Sequence, residues 1–348
     1  MQVKTAKAAV LTESRKPLIV EEIQLPETLG VGQVLVKVLY STICGAQLNE
    51  IAAAKGPDKF LPHLLGHEAS AEVVEIGPGV TNVKPGDTVV LHWRPSLGIQ
   101  CQPPAYSWRG AKLNAGWVTT FNDYAVISEN RMTPIPDDFD PKVAPLLGCA
   151  VTTAAGVISN DADVKIGESV VVFGVGGVGL NVVQFAHLAG ANPIVAIDLI
   201  DKKLEMATQR GATHTINPTK VDDVAAEIRK IVGDKGPDKV VETTGAKAVI
   251  EMAYDITHAD GTCVLVGVPT EKVTIYTLPI HFNKTLTGSH GGDARPQIDI
   301  PRIIRLVRAG RLSFDGIITD EYPLSAVNEA LDKVRSGTAG RVLLNLAG

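Results

Sequence analysis

The chain has 348 residues, which exceeds the usual size of one domain and predicts two. Hydrophobic residues make up 45% and charged residues 20%, so the composition excludes intrinsic disorder, and no apolar run is long enough to cross a bilayer. The net charge of −5 comes without a basic block, which argues against nucleic acid as a partner. Because the N-terminus lacks a secretory signal, we expect a cytoplasmic protein.

The first third of the chain has the pattern of β structure. Strands are predicted at 33–40, 69–76 and 87–92, because β-branched and apolar residues there are bounded by Gly, Pro and Asn. This spacing is typical of a small barrel or sandwich.

From about residue 165 the pattern changes to alternating strands and helices. A strand at 168–173, a helix at 179–190 and a strand at 193–197 follow one another, and further apolar strands are predicted at 239–242 and 262–266. Such alternation indicates a doubly wound parallel sheet with helical crossovers, that is, an α/β fold. A helix that contains Val327, Ala330, Leu331 and Val334 and a last strand at 341–346 are predicted near the C-terminus.

The segment Gly174-Val175-Gly176-Gly177-Val178-Gly179 lies between a predicted strand and a predicted helix. In a dinucleotide-binding turn, Gly174 makes the tight turn, Gly176 admits a pyrophosphate and Gly179 lets helix and strand pack closely. The helix N-terminus then offers its amide groups to the phosphates. An isolated match of this kind is usually an ordinary tight turn, but its position between strand and helix favours a dinucleotide site.

An acidic residue at the end of the next strand supports the same interpretation. Asp198 follows the glycine segment by about 20 residues, where a carboxylate can accept hydrogen bonds from a ribose. It would repel a 2′-phosphate, so the sequence predicts NAD rather than NADP. Lys203 is a further candidate for a ribose contact, with a solvated surface lysine as the alternative.

Three residues have the chemistry of a zinc site. Cys44, His67 and Cys149 would supply two thiolates and one imidazole, a catalytic set that leaves one coordination position open. Their wide spacing is not a finger or ribbon pattern. From spacing alone, two buried cysteines and a core histidine are the simpler interpretation. The four cysteines of the chain are too scattered to indicate a disulfide framework.

The surrounding residues strengthen the zinc interpretation. Cys44 lies in Ser41-Thr42-Ile43-Cys44-Gly45, His67 in Leu65-Gly66-His67-Glu68, and Cys149 in Gly148-Cys149-Ala150. With Lys84-Pro85-Gly86-Asp87, the glycine segment and Gly340-Arg341-Val342-Leu343, these motifs make nearly the whole chain resemble the zinc-binding alcohol and polyol dehydrogenases of the medium-chain dehydrogenase/reductase family.

The resemblance implies a fold, an activity and a set of cofactors. It implies a GroES-like β-barrel catalytic domain at 1–150, completed by 288–348, and a Rossmann NAD-binding domain at 151–287. Hydride would pass between NAD and a small-molecule alcohol or carbonyl, with one catalytic Zn²⁺ as Lewis acid. It also implies a homodimer or homotetramer joined through strands near 273–278.

The resemblance also assigns roles to single residues. Cys44, His67 and Cys149 would bind the zinc, and Glu68 would support them or bind the metal transiently. Thr153 and Val178 would lie near the nicotinamide, and Gly177 belongs to the phosphate-binding turn. Arg341 would reach the pyrophosphate; the alternative is a surface arginine paired with exposed acids.

Two departures from the family pattern carry predictions. Relatives often hold a structural zinc on four cysteines. In the corresponding residues 92–117 of this chain, Cys101 is the single cysteine, so we predict no structural zinc. The hydroxyl relay for the substrate proton is missing, because its positions hold Ala46 and Asn49. Gln47 replaces an aspartate that orients the zinc-bound histidine, and its amide would accept the hydrogen bond instead. His92, Glu50 or a water would then take the proton.

The predicted substrate is polar. The segment His92-Trp93-Arg94 stands where relatives for simple alcohols have an apolar wall, and further donors follow at Arg109, Lys112, Asn114 and Trp117. A polyol, cyclitol or sugar-like substrate would suit such a pocket, whereas solvated loop residues are the plain alternative.

Two other functions remain open from the sequence. A metal-free quinone or enoyl reductase of the same superfamily would have no use for the Cys, His, Cys set. A catalytically impaired NAD- and zinc-binding protein would explain the missing relay at Ala46 and Asn49.

Overall fold

The computed structural model describes residues 1–347 and divides the chain into two compact units. The first unit contains residues 1–149 and the segment from 295 onward, and the second contains residues 150–294. Among the described residues, none of the helices has the length and hydrophobicity that crossing a bilayer requires.

The first unit is rich in β structure. Before residue 150 its elements are β1 (Thr5–Leu11), β2 (Ile19–Gln24), β3 (Gln33–Ile43), α1 (Gly45–Ile51), β4 (His63–Leu64), β5 (Ala69–Ile76), β6 (Thr88–Leu91), β7 (Tyr106–Trp108), β8 (Ala111–Leu113), β9 (Tyr124–Ser128) and β10 (Met132–Pro134). The second unit alternates helices and strands: α2 (Ala150–Gly156), β11 (Val170–Phe173), α3 (Gly179–Leu188), β12 (Ile194–Ile197), α4 (Asp201–Gln209), β13 (His214–Ile216), α5 (Val224–Val232), β14 (Lys239–Glu242), α6 (Lys247–Ile256), β15 (Thr262–Leu265) and β16 (Thr285–Gly288). The chain then returns to the first unit with α7 (Pro296–Arg308), β17 (Ile318–Pro323), α8 (Val327–Arg335) and β18 (Arg341–Asn345).

Two sheets build the first unit. One has the strand order β10-β6-β5-β3-β18-β17 with β9 also paired to β3, and the other has the order β4-β1-β2-β7-β8. The last strand, β18, runs antiparallel to β3, with Val342 opposite Ile43. The C-terminal segment therefore completes this sheet beside the end of β3, where Cys44 follows.

The second unit is a parallel sheet with the strand order β13-β12-β11-β14-β15-β16. Numbered from β11, this order is 3-2-1-4-5-6, which is the order of a doubly wound dinucleotide-binding fold. All four residues of β11 are buried, as expected for a strand covered on both faces. The predicted α/β fold class is confirmed. The order reverses between β12 and β14, on the two sides of β11, where such folds bind their ligands.

Two segments differ from the sequence-based expectation. Residues 273–277 are irregular and lead into a 3-10 turn at Leu278–Phe282, so they pair with no strand of this chain. Their pairing with a second copy of the chain stays a prediction. The N–H of Thr274 bonds to the Glu251 carboxylate (2.7 Å) instead of a neighbouring strand. Residues 288–294, expected with the first unit, lie in the second, where Gly292 packs against Gly156.

Candidate active site

The three predicted zinc ligands lie together in the first unit. The ligand atoms of Cys44, His67 and Cys149 are all within 4.8 Å of one another, and among residues 1–347 no other group of His, Cys, Asp or Glu has such a geometry. Cys44 follows β3 and precedes α1, His67 lies between β4 and β5, and Cys149 ends a 3-10 turn. Nε2 of His67 is buried and has no hydrogen-bond partner among the described residues. Two sulfurs and an unpaired imidazole nitrogen fit a zinc ion.

Glycines directly before two of the ligands make this convergence sterically feasible. Gly66 has a φ of +90°, and a Cβ there would lie 2.3 Å from the Thr120 hydroxyl. A Cβ on Gly148 would lie 2.3 Å from the carbonyl oxygen of Leu91 and 2.9 Å from Cβ of Glu68. Only glycine permits these approaches, which accounts for the Gly-His and Gly-Cys pairs in the sequence.

The two thiols differ in their tendency to ionise. The pKa of Cys44 is lowered because Cys149 donates a hydrogen bond to its sulfur, and the neighbouring His67 and Arg341 add to this effect against the cost of burial. The same contact raises the pKa of Cys149, with burial acting in the same direction. Of the two thiols, Cys44 is therefore the one that ionises more readily, and the thiolate is the form that binds metal.

Glu68 and Arg341 form a buried ion pair beside these ligands. Arg341 Nη2 donates to Glu68 Oε1 (2.5 Å), and the two residues are 5% and 0% exposed. The alternative of a surface arginine is therefore wrong. Burial raises the pKa of Glu68, and Arg341 opposes the rise. Oε2 of Glu68 has no partner among the described residues. A contact from Arg341 to a pyrophosphate stays a prediction.

Gln47 links two of the ligands, but not in the predicted way. Its Oε1 accepts a hydrogen bond from the backbone N–H of Cys44 (2.9 Å), and its Nε2 donates to Nδ1 of His67. In the predicted arrangement, the amide oxygen accepts a hydrogen bond from the histidine. The amide oxygen is already occupied by Cys44, so the nitrogen faces the imidazole instead.

The positions of the missing relay lie on α1. Ala46 is exposed and Asn49 is half-buried, and neither supplies a hydroxyl. Glu50, one of the proposed substitutes, is exposed on the same helix.

His92 is not placed to contact a substrate or to accept its proton. The side chain is fully buried, Nδ1 donates to the Arg94 carbonyl (2.8 Å) and Nε2 accepts from the Thr133 hydroxyl (2.9 Å). Burial lowers the pKa of His92 to about 4, so the ring is neutral. The expectation of a pocket residue finds no support here, because both ring nitrogens are engaged within the fold.

Because His92 is buried in its neutral form, we expect the folded protein to lose stability at low pH. The folded pKa of about 4 lies below the unfolded value of 6.5, so the unfolded chain binds the proton more readily. The stabilisation is complete above pH 6.5 and is lost as pH falls toward 4. Between these pH values the wild type should lose up to roughly 3 kcal/mol more unfolding free energy than a His92→Gln variant, measured by urea denaturation. If the unfolding free energies of the two proteins depended on pH in the same way, the lowered pKa of His92 would be wrong.

The other predicted pocket residues fall into two groups. Trp93 and Arg94 are half-buried, with the Arg94 guanidinium 5.7 Å from the Trp93 ring, and the buried Arg131 donates to the Trp93 carbonyl. Arg109 is instead exposed and pairs with Glu21, and the Asn114 amide donates to the Phe60 carbonyl (2.7 Å). These last two donors have structural partners elsewhere.

The region expected to lack a structural zinc is held by other contacts. Residues 106–113 form the β7–β8 hairpin, which pairs with β2. Cys101 is buried, and its N–H donates to the Ser128 hydroxyl (2.9 Å). Glu129 accepts three backbone N–H bonds, from Thr81, Asn82 and Ile99.

In the second unit, the glycine segment forms the turn between β11 and α3. Gly174 has a φ of +81°, and a Cβ on Gly179 would lie 1.9 Å from the Gly174 carbonyl oxygen, so both positions require glycine. A Cβ on Gly176 would meet no atom of the described residues within 4 Å. Within the described chain, Gly177 and Val178 donate no backbone hydrogen bond, so their N–H groups are available to an anion. An open face beside free amides fits a pyrophosphate.

The other predicted cofactor residues lie at the end of β12, on α4 and on α2. Asp198 accepts hydrogen bonds from the N–H groups of Val175 (2.9 Å) and Ile200 (3.0 Å), which holds the carboxylate at the end of β12. Lys203 is half-buried on α4, and Thr153 is buried on α2. Contacts of these residues with NAD stay predictions.

Comparison with known proteins identifies the family. Residues 30–137 match the alcohol dehydrogenase GroES-like domain, and residues 177–309 match the zinc-binding dehydrogenase domain. The S-(hydroxymethyl)glutathione dehydrogenase of Paracoccus denitrificans is 32% identical over 96% of this chain and 98% of its own length, and the class-3 alcohol dehydrogenase of Cereibacter sphaeroides is 33% identical with the same coverage. The crystal structure of benzyl alcohol dehydrogenase from Acinetobacter calcoaceticus superposes with a TM-score of 0.89 at 27% identity, covering 99% of both chains.

The chain therefore belongs to the zinc-dependent alcohol dehydrogenases of the medium-chain dehydrogenase/reductase superfamily. Its first unit is a GroES-like domain and its second is a Rossmann-type domain. Members are NAD-dependent zinc enzymes that interconvert alcohols and aldehydes. This membership excludes the metal-free quinone or enoyl reductase.

Proposed function

We propose that this enzyme uses NAD to oxidise a polar alcohol, such as a polyol, a cyclitol or a sugar-like compound, with one zinc per chain bound by Cys44, His67 and Cys149. The observation that carries the proposal is the convergence of these three ligand atoms within 4.8 Å. A bound zinc would act there as a Lewis acid that polarises the substrate oxygen. NAD would accept the hydride.

The residues of the chain contribute binding and charge compensation. The Gly174–Gly179 turn and Asp198 would hold the pyrophosphate and the ribose of NAD. Glu68 and Arg341 compensate each other's charge beside the ligands, which keeps a buried carboxylate near the thiolates without an unpaired charge.

The distribution of candidate ligands supports the proposal of one zinc per chain. Among the described residues, Cys101 belongs to no group of three or more His, Cys, Asp or Glu side chains that could hold a second metal ion. The β7–β8 hairpin and the contacts of Glu129 hold the corresponding region instead.

The polar substrate is proposed from Trp93 and Arg94, which follow β6 directly and combine an aromatic face with a guanidinium. A second candidate comes from the names of relatives: S-(hydroxymethyl)glutathione is an alcohol that carries carboxylates, and a guanidinium would suit it equally.

The proposed activity is tested by NADH formation, followed by absorbance, over a panel of polyols, cyclitols, sugar phosphates, S-(hydroxymethyl)glutathione and benzyl alcohol. We expect the best substrate to be polar and Arg94→Met to reduce its kcat/KM by about 10- to 100-fold, the loss of a charged contact worth roughly 1.5–3 kcal/mol. Preference for benzyl alcohol would contradict the polar substrate. If the protein bound NAD and zinc but turned over none of the compounds in the panel, the interpretation as a catalytically impaired NAD- and zinc-binding protein would be favoured.

We also propose that the enzyme is a homodimer or homotetramer. Tyr276, Leu278 and Phe282 are 66%, 47% and 65% exposed and lie near β16, the edge strand of the parallel sheet. Exposed apolar side chains beside an unpaired strand edge favour association with another chain. Light scattering that detects monomers alone would contradict this proposal.

A further inference from the structure

The side chain of Gln47 bridges two of the three proposed zinc ligands. It lies in the first turn of α1, three residues after Cys44, and is 1% exposed. Its oxygen accepts from the backbone N–H of Cys44 at 2.9 Å, and its nitrogen donates to Nδ1 of His67. Its two polar atoms are therefore each committed to a different ligand residue.

This arrangement conflicts with the usual support of a metal-bound histidine. A neutral histidine that binds a metal through Nε2 has its proton on Nδ1, and that N–H almost always donates to a carboxylate, a carbonyl or water. Nε2 of His67 has no hydrogen-bond partner within residues 1–347, and Nδ1 faces the amide nitrogen of Gln47, which is also a donor. Two donors would then face each other.

Rotation of the amide does not remove the conflict. If the oxygen of Gln47 turned toward His67, the amide nitrogen would face the N–H of Cys44, which is a fixed backbone donor. One amide presents one acceptor atom and one donor atom, whereas the two ligand residues present two donors. A carboxylate at the same place would offer two oxygens and accept both.

We propose that Gln47 is a positioning residue that leaves His67 without a full acceptor and so makes the zinc of this enzyme more readily exchangeable. The proposal rests on the zinc ligands named under the proposed function. Gln47 would thus control the affinity and the release rate of zinc without contacting the metal. Zinc occupancy of this chain would then respond to the free zinc concentration.

The test compares Gln47→Glu with the wild type. Glutamate has the same length and replaces the amide nitrogen by a second oxygen, so it accepts from both Cys44 and His67. The dissociation constant and the release rate of zinc are measured by transfer to a chromophoric chelator. We expect Gln47→Glu to bind zinc about 10- to 100-fold more tightly, which is the usual effect of such supporting hydrogen bonds on metal affinity.

Asn49→Asp is the matched control. It adds the same charge two residues further along α1, where the wild-type side chain is half-buried and makes no hydrogen bond with His67. We expect less than a three-fold change in zinc affinity from this variant, roughly what a solvent-screened charge produces. An equal gain in both variants would overturn the proposal, because charge rather than hydrogen bonding would then explain the effect.

A spectroscopic measurement separates positioning from a general structural effect. In the cobalt-substituted enzyme, the ligand-field bands should shift in Gln47→Glu, because a carboxylate partner makes His67 a stronger donor, and stay in place in Asn49→Asp. If the wild type binds one zinc per chain but Gln47→Glu changes neither the zinc release rate nor the cobalt bands, the proposal for Gln47 is wrong. The proposed function would still stand. A wild type that binds no zinc would instead contradict the proposed function.

Discussion

Replacing Cys149 by serine is expected to remove most of the zinc and nearly all NADH formation. Serine retains the volume but has no thiolate, and the remaining Cys44 and His67 cannot complete the coordination of the metal. The loss of zinc affinity should exceed about 100-fold, because even residues that only support a ligand change affinity by about 10- to 100-fold. Zinc per chain is measured by atomic emission after gel filtration.

Cys101→Ser is the control for this experiment. Cys101 is also buried, but it lies outside the ligand group, so its substitution should leave zinc content unchanged. Stoichiometric zinc in Cys149→Ser would contradict the ligand assignment, and equal losses in both variants would show that serine disturbs the fold rather than the site.

Replacing Gly176 by alanine is expected to weaken NADH binding by more than about ten-fold, or at least about 1.4 kcal/mol. A Cβ at this position meets no protein atom within 4 Å, and the φ angle of Gly176 is not positive, so the fold should tolerate it. Unfolding free energy without cofactor should change by less than about 1 kcal/mol. The methyl group would instead occupy the space proposed for the pyrophosphate. NADH fluorescence titration and urea denaturation measure the two effects.

Gly179→Ala provides the contrast. Its Cβ would lie 1.9 Å from the Gly174 carbonyl oxygen, so the helix and the strand must separate. We expect a loss of roughly 1–3 kcal/mol in unfolding free energy, as for other overpacked sites. If Gly176→Ala bound NADH like the wild type, the pyrophosphate would not lie against this glycine.

Features with local causes could be predicted from the sequence. The strand bounds of β5 and β14 agree with the predicted 69–76 and 239–242, because short apolar runs between turn-forming residues fix them. The turn at Gly174 could also be predicted, since its positive φ and close packing demand glycine at fixed positions. The set of Cys44, His67 and Cys149 can be predicted from the surrounding motifs, whereas their spacing alone does not indicate a metal site.

Features that depend on distant partners could not be predicted. The ion pair of Glu68 with Arg341 joins residues 273 positions apart, so the sequence left a surface role open for the arginine. The polar neighbours of His92 in the sequence predict a pocket donor, whereas its partners in the fold are Thr133 and a backbone carbonyl. The orientation of Gln47 depends on competition between two donors, which only the placement of α1 against His67 reveals.

We propose that one zinc, held by Cys44, His67 and Cys149, supports NAD-linked alcohol oxidation. The most direct test is the zinc content of the purified wild-type enzyme, determined together with NADH formation before and after treatment with a chelator. We expect about one zinc per chain, loss of activity when it is removed, and recovery when zinc is restored. A chain with two zinc ions, or one that forms NADH at full rate without zinc, would contradict the account.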